Sequence, residues 1–180
     1  MPQPYYSETA KAIEIINGKY LEGHGADIGC GSSKLSHHAI GVDGRDLEGV
    51  DIITSDPSGL YPFKNGSGVM PNTLDYIYSS HFLEHWHNPL SMISNWWTYI
   101  KLGGFLVLYL PDGRYYSNEN NPEHLYDWNY ESFLFFFKRC FCGEGKDFKG
   151  DFLPKFFEVI ESGVDLRPDC YSFYLVAQKL

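Results

Sequence analysis

Short apolar runs bounded by glycine-rich turns constrain the fold of this chain more than any other feature. GADIGC, AIGVD and VDIITSD come first, and LDYIYSS and GGFLVLYLPD follow, all within the first two thirds of the sequence. Runs of this length with turn-forming neighbours are typical of buried β-strands. Helical patterns alternate with some of them, and this alternation predicts an α/β domain with a mostly parallel sheet.

Three segments have the periodicity and the end signals of helices. The first begins after Ser7, which suits an N-cap, and extends to about Asn17. The second begins at Pro89 after the cap residue Asn88, and the third covers about residues 130–141. The apolar stripe expected on the second helix consists of Leu90, Ile93, Trp97 and Ile100.

Length and charge narrow the class of protein. The 180 residues suit one domain, with an N-terminal helix in 1–22, a first half at 23–112 and a second half at 113–180. The second half ends in FFEVIESG and YSFYLVAQ, which predict a closing pair of strands.

The net charge is −9 and the 14 basic residues are scattered, so a nucleic-acid partner is not expected. The absence of a membrane-spanning apolar run and of a secretion signal favours a cytoplasmic protein.

The heptad HFLEHWH contains the pattern His-x-x-Glu-His, which binds zinc in some metallopeptidases when it lies in a long helix. Here it lies between a strand that ends near Ser80 and a helix that begins at Pro89. We therefore predict a connecting turn or a single helical turn, and nothing in the sequence indicates a third ligand. No metal site is expected, and a zinc-dependent hydrolase that uses His81, Glu84 and His85 remains an alternative.

The stretch ADIGCGSSKLSHHAIGVDGRD carries most of the chemical information. Gly29 and Gly31 let the backbone turn sharply and approach a ligand at the carboxyl end of the sheet. Asp43 ends the second strand, where a carboxylate can accept two hydrogen bonds from a ribose diol. A nicotinamide dinucleotide is disfavoured, because Lys34 replaces the third glycine and the short connection leaves little room for a helix behind the loop.

Together with SDPSGLYPF, SSHFLEH and LGGFLVLYLP, this stretch resembles class I S-adenosylmethionine-dependent methyltransferases, and the small type 11 group in particular. The resemblance covers about residues 25–112. It implies a three-layer Rossmann-like methyltransferase fold with a mostly parallel sheet, a C-terminal antiparallel strand pair and shortened early crossovers. It also implies a cofactor-binding half at 23–112, an acceptor-side half at 113–180, and S-adenosylmethionine as the cofactor with S-adenosylhomocysteine as its product.

The resemblance implies a role for each residue of a cofactor site. Asp43 would hold the ribose hydroxyls and Asp56 the adenine amino group, although Asp56 also suits an ordinary Asp-Pro-Ser-Gly turn. Asp27 would border the methionine portion or would simply order the loop. The residues implied around the methionine portion are Asp27, Gly29, Cys30 and Gly31, and those implied beside the sulfonium are Ser79, Ser80 and His81.

Methyl transfer to an oxygen or nitrogen atom can also require a base. The candidate catalytic residues are His81, His85 and His124, with Asp112, Tyr115 and Tyr116 nearby. Each histidine also suits a packing role. The expected acceptor is a small molecule or an exposed group of a glycan or lipid-linked sugar, by analogy with the family. A non-catalytic S-adenosylmethionine-binding partner subunit is the alternative.

The chain departs from the family pattern at two places. Ser33 stands where the loop has its third glycine, and the connections between the first three strands are too short for full crossover helices. One face of the sheet should therefore be thinly covered. Either the N-terminal helix covers that face, or a second copy of the chain does so in a homodimer.

Overall fold

The computed structural model describes residues 7–60, 68–117, 119 and 121–180, and seven strands within them form one sheet. The Tyr61–Phe63 part of the SDPSGLYPF motif lies outside the described residues. The strands are β1 Gly25–Ile28, β2 Ile40–Asp43, β3 Ile52–Ile53, β4 Leu74–Ser80, β5 Ile100–Pro111, β6 Phe157–Val164 and β7 Ser172–Lys179.

The strand order is β3-β2-β1-β4-β5-β7-β6. The first five strands run parallel to one another, β7 is antiparallel to β5, and β6 is antiparallel to β7. This mixed sheet confirms the predicted Rossmann-like fold with its C-terminal antiparallel pair. Residues 29–39 and 44–51 contain turns and bends but no helix, which confirms the shortened early crossovers.

Three helices in the described residues begin after polar caps. They are α1 Glu8–Ile15, α2 Pro89–Tyr99 and α3 Tyr130–Phe141, capped by the side chains of Ser7, Asn88 and Asn129. The predicted boundaries agree within two residues. A 3-10 turn at Leu83–His85 follows β4, as the short space before α2 required. None of these helices has the length and apolar character needed to cross a membrane.

The two faces of the sheet carry different side chains. In β4, Ile77 packs with the apolar core under α2 and α3, whereas Tyr76 and Tyr78 point to the opposite face. This alternation follows from the two-residue period of a strand. The larger core joins strand residues such as Ile28 to Trp96 of α2 and contains most of the buried apolar side chains.

The second face of the sheet is covered by the N-terminal segment. Ala12 and Ile16 of the α1 region, with Tyr20 after it, are buried against a patch of strand residues. The strand residues of that patch are Tyr76, Tyr78, Val107, Tyr109 and Val176. The hypothesis that the N-terminal helix covers the thin face is confirmed, and the sheet has a helical layer on each side.

The apolar stripe predicted for α2 is confirmed at Ile93 and Ile100, which are buried, and is wrong at Leu90 and Trp97. Leu90 is 44% exposed, whereas Met92, Ile93 and Trp96 are buried. Trp97 is only half-buried, and its ring packs edge-on against Phe156 at a centroid distance of 5.3 Å. The helix is rotated so that the large ring of Trp96 is buried against the sheet. The buried positions therefore differ from those that the spacing of apolar residues predicts.

Candidate functional site

The loop that follows β1 needs glycine at two positions. Gly29 (φ 76°) and Gly31 (φ 54°) both lie in the left-handed region, which other residues adopt only at a cost. A side chain at Gly29 would also collide with the ring of Phe82. The amide groups of Gly29 and Cys30 donate to the carbonyl oxygen of Val42 in β2 at 2.8 and 3.2 Å. These bonds hold the loop over the ends of two neighbouring strands.

Asp43, the last residue of β2, binds this loop. Its Oδ2 accepts a hydrogen bond from the Gly31 amide at 3.0 Å, and its Oδ1 accepts two from Arg45, from the amide and from Nε, both at 3.0 Å. Burial alone would raise the pKa of Asp43, but these hydrogen bonds outweigh it and lower the pKa below its usual value. A fixed carboxylate charge therefore lies where β1 and β2 end.

Asp27 and Cys30 are buried beneath the loop. Oδ2 of Asp27 accepts a hydrogen bond from the Leu35 amide at 2.7 Å. Burial raises the pKa of Asp27 to about 7. Burial, followed by the neighbouring charge of Asp27, raises the pKa of Cys30 to about 12. Asp27 thus orders the loop from below, and Cys30 is a protonated thiol.

Asp56 lies in an exposed turn after β3. Its Oδ1 accepts hydrogen bonds from the amide of Ser58 at 3.1 Å and from the Ser58 hydroxyl at 2.6 Å. These contacts are those of the ordinary turn that the sequence also suggested. An open groove of about 440 Å³ separates this turn from Thr98 and Tyr99 of α2, so Asp56 borders a space that a ligand can enter.

The end of β4 contacts β1, and the residue that follows it contacts β7. The Ser79 hydroxyl donates to the carbonyl oxygen of Ile28 in β1 at 3.0 Å. His81 follows the half-buried Ser80 with a φ of 45°, and its Nε2 lies 2.8 Å from the hydroxyl oxygen of Ser172 in β7. Burial lowers the pKa of His81 to about 3, so the ring is neutral at neutral pH.

The surroundings of His81 could not be found from the sequence. Its amide donates to the carbonyl oxygen of Tyr109 at 2.9 Å, and its Nε2 lies 3.5 Å from Oε2 of Glu8. Because the ring is neutral, the contact with Glu8 is not an ion pair. Glu8, Tyr109 and Ser172 are remote from His81 in the chain and from one another, and no local motif links them.

Two of the three predicted histidines come together, and His81 is not one of them. His85 and His124 pack edge to face at a centroid distance of 4.8 Å, and Nε2 of each lies 3.7 Å from Oε1 of Glu84. Burial raises the pKa of Glu84 to about 8 and, with the neighbouring His85, lowers the pKa of His124. The set His81, Glu84 and His85 proposed for a zinc hydrolase therefore does not converge.

The connection after β5 is fastened by polar and aromatic contacts. The Arg114 guanidinium binds Asp112 through both carboxylate oxygens, and these bonds outweigh burial to lower the pKa of Asp112. Asp112 is therefore an ion-paired carboxylate and a poor base. Tyr126 and Trp128 stack at a centroid distance of 4.6 Å, and Tyr116 stacks on a tyrosine of another segment.

Comparison with solved structures identifies the fold. No family model and no curated protein matches the sequence. An S-adenosylmethionine-dependent methyltransferase from Archaeoglobus fulgidus aligns with a TM-score of 0.62 and 16% identity, over 96% of this chain and 94% of that chain. The chain has a methyltransferase fold.

Two further solved structures with the methyltransferase fold are similar to this chain. The 1,6-didemethyltoxoflavin-N1-methyltransferase of Burkholderia thailandensis, solved with its substrate and S-adenosylhomocysteine, aligns with a TM-score of 0.65 and 12% identity over 96% of this chain and 78% of that chain. A chain solved in complex with the Haloferax volcanii Trm112 methyltransferase activator aligns with a TM-score of 0.61 and 12% identity over 94% of this chain and 89% of that chain.

In this methyltransferase fold the sequence-predicted residues separate into two groups. The first group lies at or just beyond the carboxyl ends of β1, β2, β3 and β4, where open α/β sheets bind ligands. The second lies in the 3-10 turn and the connection after β5. Sequence reasoning missed the role of Arg45, which an Asp-x-Arg spacing signals, and the pairing of Glu84 with His124, which no spacing signals.

Proposed function

We propose that the chain is an S-adenosylmethionine-dependent methyltransferase. The observation that carries the proposal is the 3.0 Å hydrogen bond between the Gly31 amide and the Asp43 carboxylate, at the ends of two adjacent parallel strands of a methyltransferase fold. A glycine-rich loop beside a fixed carboxylate suits a nucleoside ligand. The short connection behind the loop leaves no helix N-terminus for a pyrophosphate.

Each element of the site has a place in this proposal. Asp43 holds the ribose hydroxyls, which would share its oxygens with Arg45 or displace that side chain. The loop of Gly29, Cys30 and Gly31 lies along the methionine portion, and Asp27 supports it from below. Asp56 meets the adenine amino group from the turn after β3, and Ser80 with His81 borders the sulfonium.

The chemistry requires mainly positioning. The acceptor atom attacks the methyl carbon in line with the breaking carbon–sulfur bond, so the protein must orient both groups and exclude water. An oxygen or nitrogen acceptor also loses a proton, and the proposed bases are His81, His85 and His124, although a pKa of about 3 makes His81 a poor one. The acceptor is proposed to be a small molecule or an exposed group of a glycan or lipid-linked sugar, for which Tyr126 and Trp128 offer a stacking surface.

The first test is a calorimetric titration of the purified chain with S-adenosylhomocysteine. We expect binding in the micromolar range, and we expect Asp43→Ala to abolish it, because the variant removes the acceptor for the ribose hydroxyls. Glu48→Ala, which removes an exposed acidic residue between β2 and β3, should bind like the wild type. A parallel titration with NAD should show no binding. Failure of the folded wild type to bind S-adenosylhomocysteine would contradict the proposal.

A non-catalytic cofactor-binding subunit is the second candidate function. The observation behind it is that a similar structure is a complex of two proteins, a methyltransferase activator and a putative methyltransferase. Methyl transfer to an acceptor by the purified chain alone would exclude it. Activity that appears only after a second protein is added would support it. Light scattering of the same sample tests the homodimer, the other partner that the sequence suggested.

A further inference from the structure

Glu84, His85 and His124 form a cluster that the proposed cofactor site does not use. Glu84 and His85 lie in the 3-10 turn after β4, and His124 comes from the connection between β5 and α3. One potential ligand atom from each residue lies within 4.8 Å of the other two. The Leu125 amide donates to the carbonyl oxygen of Glu84 at 2.8 Å, so the backbone fastens the two segments together beside the cluster.

The cluster contains buried polar atoms without partners. Glu84 is fully buried, and among the described residues neither of its carboxylate oxygens has a hydrogen-bond partner. Nδ1 of the buried His124 is in the same situation. The separation of 3.7 Å between Oε1 of Glu84 and Nε2 of either histidine is too long for a hydrogen bond. Buried polar groups are nearly always satisfied, so the Glu84 carboxylate calls for a ligand between the three side chains.

His85 has the outer contact that is typical of a metal ligand. Its Nδ1 lies 3.1 Å from the carbonyl oxygen of Glu123, where a protonated Nδ1 donates a hydrogen bond. This bond fixes the tautomer and leaves the lone pair of Nε2 directed towards Glu84. Histidines that bind metals usually donate their other ring N–H to a carbonyl or carboxylate in this way.

We propose that Glu84, His85 and His124 bind one divalent transition-metal ion, with Zn²⁺ as the first to test. Two imidazoles and one carboxylate form a donor set of zinc sites that keep an open position, and other first-row ions accept it. Tetrahedral coordination with bonds of about 2.0–2.2 Å separates ligand atoms by about 3.4 Å. The two separations of 3.7 Å from Glu84 therefore require a small contraction, and the two histidines, whose ligand atoms lie within 4.8 Å of each other, can require a larger one.

The open position of the ion faces the solvent side of the cluster. The His85 side chain is 28% exposed, whereas Glu84 and His124 are buried behind it. Water or an oxygen or nitrogen atom of a small molecule can reach the ion there. The metal-site proposal is independent of the proposed methyl transfer, because metal binding is measured without any cofactor or acceptor.

The proposed metal site contains two residues of the His-x-x-Glu-His pattern, Glu84 and His85, but not its first histidine, His81. His81 lies in the left-handed region and directs Nε2 to the Ser172 hydroxyl at 2.8 Å. His124 takes its place from a segment 43 residues further along the chain than His81. Because His124 and not His81 completes the cluster, variants of the two kinds of histidine should differ in metal binding.

The test is a calorimetric titration of the chelator-treated full chain with Zn²⁺, followed by Co²⁺, whose visible absorption reports on coordination. We expect one ion per chain. Glu84→Gln and His85→Gln should weaken binding by more than the roughly 10–100-fold that changes around a metal site cost. His87→Gln, an exposed neighbour outside the cluster, and His81→Gln should bind Zn²⁺ like the wild type.

A second readout compares the unfolding temperatures of the variants with and without the ion. With chelator present, Glu84→Gln should unfold at the same temperature as the wild type or higher, since it removes a buried carboxyl without a partner. With Zn²⁺ present the order should reverse, because only the wild type gains the bound ion. No binding of Zn²⁺ or Co²⁺ by the folded wild type, or equal binding by Glu84→Gln, would overturn the proposal.

Discussion

At the scale of residues, the same local hydrogen-bond pattern holds three aspartate carboxylates at the ends of strands. In each Asp-x-Arg segment the arginine amide and Nε both donate to Oδ1 of the aspartate two positions earlier. In each case these bonds outweigh burial and lower the pKa of the aspartate. The pairs are Asp43 with Arg45, Asp112 with Arg114 and Asp165 with Arg167. Asp27 has no such arginine two positions on, and its carboxyl behaves in the opposite way.

The pKa of about 7 for Asp27 predicts a pH-dependent stability. Because burial raises this pKa above its value in the unfolded chain, the folded state binds more protons between about pH 4 and pH 7. The contribution of Asp27 to stability is complete below about pH 4 and is lost as the pH rises through 7. A shift of about three units corresponds to roughly 4 kcal/mol.

Asp27→Asn should remove this part of the pH profile in urea unfolding measured from pH 4 to 8. The variant keeps an oxygen that can accept the hydrogen bond from the Leu35 amide. Glu48→Gln, at an exposed position, should leave the wild-type profile unchanged. A profile of Asp27→Asn parallel to that of the wild type would show that burial does not raise this pKa.

At the scale of elements, the end signals were more informative than the apolar spacing. Ser7, Asn88 and Asn129 cap the three helices because side-chain caps act within one turn and are local in sequence. The rotation of α2 depends on what it packs against. The helix therefore turns Leu90 outwards and Met92 inwards, and spacing alone could not predict this.

A pair of variants on α2 tests this rotation. Met92→Ala should lower the free energy of unfolding by about 2–5 kcal/mol, because it leaves a cavity in the core. Leu90→Ala, at a position of the predicted stripe that is 44% exposed, should change it by about 0.5 kcal/mol or less. Urea unfolding measures both values. Equal losses would restore the stripe predicted from the sequence.

At the scale of the whole molecule, Arg167 connects the two ends of the chain. Its guanidinium binds the buried carboxylate of Asp165 and lies 2.7 Å from Oε2 of Glu14 in α1. It also donates to the carbonyl oxygen of Lys11 at 2.5 Å. Tyr109 of the central strand β5 donates to the same Asp165 at 2.7 Å. The helix that covers the thin face is thus fastened to the sheet by polar contacts as well as by apolar packing.

Arg167→Ala should destabilise the fold by roughly 2–4 kcal/mol. The variant leaves the Asp165 carboxylate buried without its cation, and the value is reduced because the Arg167 side chain is 30% exposed. The double variant with Asp165→Asn should recover part of the loss, because the unpaired charge is gone. Arg139→Ala, at an exposed arginine of α3, should cost about 0.5 kcal/mol or less. Urea unfolding of the wild type, Arg167→Ala, Asp165→Asn and the double variant measures the coupling, and Arg139→Ala is the control.

The sequence alone determined the order of strands and helices, the glycine loop with Asp43, and the short turn at HFLEH. Each depends on chemistry within a few residues: a period of apolar positions, a cap, or a glycine where φ must be positive. Tertiary structure decided how α2 is rotated, that His81 meets Ser172, and that Glu84 meets His124. Those contacts join segments far apart in the chain, and only the packing of the sheet and its connections brings them within a few ångströms.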